Sequence, residues 1–274
     1  MRDSLKPIST RKVYNRTSMQ PARIAELLGP FLDSVDEPAA AESDAEFTIS
    51  TNVLAKKLLD NNPISRGLPD NALELISTYI DILLHWNARI NLTAIRNEEE
   101  IVTRHFGESL FLARHLFPRR IASNAAALAP PANHQSPASI SHVADLGSGA
   151  GFPGLPIQLW APQIALTLIE SNHKKAAFLR ELTRALALTN ANILNVRAET
   201  IAPGSFDVIT LRAVEKLTKM LPKATALLRP AGRLALLLSS AQVGDASSAL
   251  PDVAWNPPIP VPQSQARVLL IGQK

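Results

Sequence analysis

Leu75, Ile76, Tyr79, Leu83, Trp86 and Ile90 recur at spacings of three and four, so one face of a helix over residues 69–90 is apolar and turns to a core. Pro69 in the first turn and Asn91 near the end mark its limits. A second helix is predicted over 98–116, with Glu98, Glu99 and Glu100 at its positive N-terminal end and Arg114 and His115 near its negative end. These two make a helical cap, and a shorter helix-like stretch, 22–32, lies upstream. From residue 140 the pattern changes. Short apolar runs at 140–144, 166–169, 193–196, 206–211, 233–238 and 268–271 read as strands. Between them, residues 155–160, 174–188 and 214–228 read as helices, the last broken or kinked at Pro222. Such alternation predicts an α/β fold with a mostly parallel, doubly wound sheet, helices on both faces, and ligands at the C-terminal ends of the strands.

The same pattern divides the chain. Residues 1–67 form an N-terminal extension, partly disordered, in which 33–44 is an acidic, Ala-rich linker. Residues 68–122 are the cap, 123–141 a Pro/Ala/Ser-rich insertion without fixed structure, and 142–274 the sheet domain. In 1–18, Arg2, Lys6, Arg11, Lys12 and Arg16 face a single acid, Asp3. That composition is similar to organellar targeting segments, and a start of translation at Met19 is the simpler expectation.

The first strand runs into Asp145-Leu-Gly147-Ser-Gly149-Ala-Gly151-Phe152-Pro-Gly154, followed by a helix start. Glycines let the backbone take turns closed to other residues and let a ligand approach the main chain, while a helix N-terminus offers unpaired N–H groups to an anion. Gly149, Gly151 and Gly154 match the dinucleotide pattern G-x-G-x-x-G, so a nicotinamide cofactor stays open at this point. Asp145 favours a different ligand. S-adenosylmethionine has no pyrophosphate but carries an ammonium, a carboxylate and a sulfonium, and a carboxylate at the strand end suits its cationic portion. Glu170 closes the second strand about twenty residues after the glycines, where an acid can accept both ribose hydroxyls of an adenosine. It serves either cofactor.

Composition removes several chemistries. There is no cysteine, which excludes disulfides, thiolate zinc sites and cysteine nucleophiles, including the covalent route to methylating pyrimidine C5. With 28 Lys+Arg against 24 Asp+Glu, nucleic-acid contact must come from local clusters. Three stand out: Lys174, Lys175, Arg180 and Arg184; Lys216, Lys219 and Lys223; and Arg114, Arg119 and Arg120. No apolar run approaches the ~20 residues of a membrane span. No metal-ligand pattern is present.

The string from Asp145 to Gly154, Thr167-Leu-Ile-Glu170-Ser-Asn172 with Lys174-Lys175 and Phe178-Leu-Arg180, and the upstream Trp86-Asn87-x-x-Ile90-Asn91-Leu92-Thr93 resemble the glucose-inhibited division protein B family over roughly residues 68–272. The resemblance implies a class I, Rossmann-like methyltransferase fold for 142–274 and S-adenosylmethionine as cofactor. It further implies methylation of guanine N7 in 16S ribosomal RNA by a cytoplasmic, monomeric protein that works on the RNA or the small ribosomal subunit. For the cofactor pocket it implies Asp145, Gly147, Gly149, Gly151, Phe152, Glu170, Ala198, Glu199 and Arg212. No catalytic residue is assigned, and Arg212 and His105 stand as positioning candidates. The same fold acting on another RNA base or a small molecule, and an NAD-binding oxidoreductase, are the alternatives.

Guanine N7 carries an in-plane lone pair and no proton, so its attack on a sulfonium methyl needs no general base, and catalysis rests on alignment and exclusion of water. Enzymes acting on exocyclic amines typically place Asn/Asp-Pro-Pro-aromatic after the fourth strand. Here that place reads Leu211-Arg212-Ala213, and Asn256-Pro257-Pro258-Ile259 comes later and reads as a turn. Two departures from the family pattern are visible: Glu108 replaces Asp in His-x-x-Asp-Ser, and Leu238-Ser239-Ser240-Ala241 stands where Lys-Gly is common.

Overall fold

The computed structural model describes residues 19–32, 68–118, 140–213 and 216–274. The cap consists of α1 (Pro21–Leu32), α2 (Ala72–Asn87) and a continuous helix over 98–116, here α3. The sheet domain follows as β1 (His142–Leu146), α4 (Gly154–Trp160), β2 (Ala165–Ile169), α5 (His173–Ala185), β3 (Ala191–Leu194) and β4 (Phe206–Arg212). It continues as α6 (Leu217–Leu227), β5 (Leu228–Ser239), α7 (Val243–Ala249), β6 (Ala254–Trp255), β7 (Ile259–Pro260) and β8 (Arg267–Gln273). Strand order is β3-β2-β1-β4-β5-β8-β6, with β7 paired to β8. The first five strands are parallel and β8 runs antiparallel to β5. The order reverses at β1 and β4, where a ligand crevice forms at the strands' C-terminal ends.

Both faces of the sheet are covered, which is why the strands read as apolar runs. Along β5 the side chains alternate: Ala235 and Leu237 join the cluster made with the cap, α4 and α5, while Leu234, Leu236 and Leu238 join the one under α6 and α7. The cap is part of the main core. Ile24, Leu28 and Phe31 of α1 are at most 2% exposed and pack with Ile76, Tyr79 and Phe106. Thus α1, which falls in the stretch 1–67, packs against the cap. Arg114 donates to the Phe31 carbonyl at 3.2 Å and so covers an orphan acceptor at the end of α1.

Several predicted elements shift. The helix over 69–90 is confined to Ala72–Asn87, and the strand at 193–196 lies at Ala191–Leu194. β5 begins at Leu228, five residues before the predicted start at 233, and α6 passes through Pro222 without ending. The short α7, β6 and β7 carry too few residues for periodicity to reveal them. Asn256-Pro257-Pro258 is the turn between β6 and β7. The largest departure is inside α3, whose middle, Ile101–Gly107, is a π-helix. His105, Phe106, Gly107, Glu108 and Ser109 are all buried in succession, which no one-sided stripe permits. Gly107 is where α1 comes closest, and a Cβ there would lie 2.6 Å from the Phe31 ring. The expectations for 1–18, for the linker 33–44, for residues 123–139 of the insertion and for Arg119 and Arg120 lie outside the described residues. Among the described residues no helix is long and apolar enough to cross a membrane.

Candidate functional site

The glycine turn after β1 is held from below by β2. Gly147 N–H and Ser148 N–H both donate to the Ile169 carbonyl, at 2.9 and 3.2 Å. Gly147, Gly149 and Gly151 have φ of 76°, 54° and 90°, the left-handed region their side-chain-free backbone permits. Gly149 N–H donates to Glu170 Oε2 at 2.9 Å, and Asn172 N–H to Glu170 Oε1 at 2.7 Å. Gly151 N–H closes on the Ser148 carbonyl. Ala150 and Phe152 are the turn residues whose N–H groups make no hydrogen bond among the described residues.

Asp145 is 1% exposed. Its Oδ2 accepts from Gly154 N–H at 3.2 Å, placing a carboxylate at the N-terminus of α4, and its Oδ1 accepts from the Thr210 hydroxyl at 2.9 Å. Burial pushes its carboxyl up to about 6, against the pull of these donors and of Arg212. Asp145 therefore fixes the turn itself, and among the described residues its charge has no cationic partner in direct contact. Glu170 likewise spends an oxygen on each of two backbone N–H groups. The spacing of Asp145 and Glu170 predicts ligand contacts, and the structure adds a bracing duty that no local pattern announces.

The cap clamps the turn from above. The Tyr79 hydroxyl donates to the Ala150 carbonyl at 2.5 Å, and its ring stacks on Phe152 at 5.1 Å between centroids. His105 stacks on Phe152 from another side at 4.7 Å, and Phe106 meets it edge-on at 5.1 Å. Thr93 Oγ1 and His105 Nε2 are 2.8 Å apart. Thr93 is placed by Asn87, whose Oδ1 accepts from Leu92 N–H and Thr93 N–H at 2.9 and 3.0 Å and whose Nδ2 donates to the Thr93 carbonyl at 2.9 Å. The Trp86-Asn87-x-x-Ile90-Asn91-Leu92-Thr93 string is thus a folded loop that positions His105. Burial and nearby arginines push His105 down to about 3, so it is neutral at physiological pH and acts through its ring. Asn87→Ala is expected to remove three hydrogen bonds, one buried and two part-buried, and cost about 2–3 kcal/mol in denaturant unfolding, with donor affinity falling as His105 loosens. An unchanged unfolding midpoint would contradict this.

Arg212, at the end of β4, is buried and carries its guanidinium 6.0 Å from the Phe152 ring. It donates to the Arg104 carbonyl at 2.6 Å, and its Nη2 lies 3.2 Å from Glu108 Oε2. Arg267 Nε lies 3.0 Å from the same oxygen. Burial lowers the Arg212 guanidinium to about 10, so it remains charged at neutral pH. Neither Glu108 nor Arg267 was singled out as a site residue, since 159 positions separate them and no local spacing links the two.

The remaining candidates scatter. Ala198 is buried in a 3-10 turn (Ala198–Thr200) beyond β3, on the same rim as Asp145 and Glu170. Glu199 points away, half-exposed and paired with Lys223 of α6. Lys223 is therefore engaged, as is Arg114 at the end of α1. Lys174 stands exposed and Lys175 half-buried in the first turn of α5, where the Asn172 side chain caps both N–H groups. Two cations at the positive end of a helix oppose its dipole, an arrangement that an incoming anion relieves.

Residues 72–248, more than half of the 274-residue chain, match the model of the family described as GidB, rRNA small subunit methyltransferase G. A ribosomal RNA small subunit methyltransferase G from Xanthomonas axonopodis pv. citri is 38% identical over 177 residues, which cover 62% of this chain and 73% of that protein. One from Xanthomonas campestris pv. campestris is 38% identical over 157 residues, covering 57% of this chain and 64% of that protein. The chain thus spans about two thirds of the length of these curated relatives. Among solved structures, a predicted O-methyltransferase from Agrobacterium tumefaciens is 19% identical with a TM-score of 0.44, over 61% of this chain and 80% of that one.

Proposed function

The chain belongs to the GidB family of small-subunit rRNA methyltransferases and has the class I methyltransferase fold, and on that premise we propose that it transfers a methyl group from S-adenosylmethionine to N7 of a guanine in 16S ribosomal RNA. The observation that carries the reading is the glycine turn, pinned between Glu170 below and Tyr79 above, with a buried carboxylate at the tip of β1 that has no ion-pair partner among the described residues. The residues present fit the donor. Asp145 supplies the countercharge for its cationic methionyl portion, and the N–H groups of Ala150 and Phe152 can receive its carboxylate. Gly147, Gly149 and Gly151 leave the backbone bare for close approach, and Glu170 and Ala198 border the adenosine end. Bound there, S-adenosylmethionine supplies an electrophilic methyl group.

The chain's own residues orient and exclude. Phe152, packed by Tyr79, His105 and Phe106, forms an aromatic wall that keeps water from one side of the turn. His105, pushed down to about 3, is too weakly basic to hold a proton at neutral pH, in keeping with a lone-pair nucleophile that has no proton to lose. Exposed Lys174, Arg180 and Arg184, with the half-buried Lys175, offer charge along α5 for RNA phosphates. A cytoplasmic location and action on the 16S RNA or the small subunit, by a monomer, complete the proposal.

Calorimetry should show binding of S-adenosylmethionine and S-adenosylhomocysteine and none of NAD. Ribosomal RNA from a strain lacking the protein should lose one site of chemical cleavage at 7-methylguanine. Binding of NAD alone would overturn the donor assignment, and an unchanged cleavage map the RNA assignment.

A further inference from the structure

On the same rim as the glycine turn, between α3 and the loop that joins β7 to β8, lies a cleft of about 510 Å³ lined by Thr103, Arg104, Glu108, Ser239, Gln265 and Arg267 among others. Its size suits a small ligand or a single nucleotide. β5 ends beside it at Ser239 and β8 begins there at Arg267. In the sheet, β4 separates β1 from β5, and neighbouring strands are about 4.8 Å apart, so the cleft opens about 10 Å from the tip of β1. Arg212 at the end of β4 borders both, its guanidinium 6.0 Å from the Phe152 ring and its Nη2 3.2 Å from Glu108 Oε2.

The cleft has unused polar chemistry at its base. The Glu108 side chain is 3% exposed and sits among three arginines, Arg104, Arg212 and Arg267. Arg212 and Arg267 are close enough for ion pairing, yet among the described residues Glu108 Oε2, Arg212 Nε and Arg267 Nε all lack a hydrogen bond of good geometry. Buried groups left unsatisfied in this way call for a partner. Two cations, Arg104 and Arg267, against the one carboxylate of Glu108 also leave the lining of the cleft net positive, with Arg104 exposed at its mouth. The missing partner must therefore offer donors to a carboxylate, an acceptor to an arginine, and negative charge. The Watson–Crick edge of a guanine nucleotide has that order: N1–H and N2–H as donors, O6 as acceptor, and a phosphate behind. Adenine presents an unprotonated N1 there, which a carboxylate repels.

Resting on the function proposed above, we propose that this cleft receives the target guanosine flipped out of its RNA, with Glu108 selecting guanine through N1–H and N2–H and Arg267 donating to O6. The N7 lone pair, on the ring's other edge, is left free to meet the methyl group. The pocket explains selectivity through groups that only the right base satisfies.

The test uses the full chain, rRNA from a strain lacking the protein, and GMP, IMP and AMP as competitors of methyl transfer. GMP should inhibit competitively with RNA, AMP about tenfold more weakly or less, and IMP, which lacks the N2 amine, in between. Glu108→Gln should lower kcat/KM for RNA about hundredfold and erase the preference for GMP, with S-adenosylhomocysteine affinity within about threefold. That variant also leaves two arginines buried without their counterion, so Gln265→Trp serves beside it. Gln265 is exposed at the mouth of the cleft, and the indole should block RNA transfer with melting temperature and S-adenosylhomocysteine affinity unchanged. Equal inhibition by GMP and AMP, or full transfer by Gln265→Trp, would overturn the proposal. Failure of the unmodified chain to bind S-adenosylhomocysteine would instead defeat the methyltransferase reading on which it rests.

Discussion

At pH 7 the Asp145→Asn variant is expected to melt higher than the unaltered chain and to bind S-adenosylmethionine at least about tenfold more weakly. The two effects have one cause. Burial pushes the Asp145 carboxyl up to about 6, so keeping it ionised inside the fold at neutral pH costs about 3 kcal/mol relative to water. Asn has the same shape. Its carbonyl can accept from Gly154 N–H and its amide can donate to Thr210 Oγ1, so the turn keeps its anchors while the charge disappears. In a chain of this size the gain corresponds to roughly 5 °C or more. The donor then loses the negative charge that faces its ammonium and sulfonium. The pH dependence follows from the direction of the shift. A raised carboxyl penalises the fold fully above pH 6, and the penalty fades as pH falls through 6 toward 4, where the group is neutral in both states. The stability advantage of Asp145→Asn should therefore shrink on acidification. Melting curves between pH 4.5 and 8, with calorimetry at pH 7, check both arms; a variant that is less stable at pH 7, or that binds the donor normally, would remove Asp145 from this role.

Gly151→Ala should be the most damaging single-methyl change in the turn, lowering stability by about 3 kcal/mol and donor affinity about hundredfold. Gly151 sits at φ 90°, and a Cβ built there lands on the Tyr79 hydroxyl and 2.7 Å from Leu155 Cδ1. Both neighbours are immobile: Tyr79 is fully buried and bonded to the Ala150 carbonyl, and Leu155 is 0% exposed in α4. Gly147→Ala is the control. Gly147 also has positive φ, but nothing lies within 4 Å of its added Cβ, so only the backbone cost of about 1–2 kcal/mol applies. Adding Tyr79→Phe to Gly151→Ala should recover part of the loss, because it removes one of the two clashing atoms. Equal damage from the two alanines in chemical denaturation would show that the cap does not clamp the turn.

Residues whose meaning depends on near neighbours were legible in the chain. The helix stripe through Leu75, Tyr79 and Trp86, the strand before Asp145 and the glycines after it all follow from period and local stereochemistry, which the order of residues alone determines. So the class of fold follows from the sequence, and the family match at 72–248 agrees with that reading. Only the folded chain decided which atoms meet. The Tyr79 hydroxyl finds the Ala150 carbonyl 71 positions away, Arg212 finds the Arg104 carbonyl 108 positions away, and the end of the π-helical stretch of α3 with the turn after it buries His105 to Ser109 in succession. Pairings at such separations are set by how helices dock on a sheet rather than by any repeat along the chain. For that reason Asp145 and Glu170 turned out to brace the turn, and Glu108 with Arg267 came to share a buried cleft that no spacing in the sequence announces.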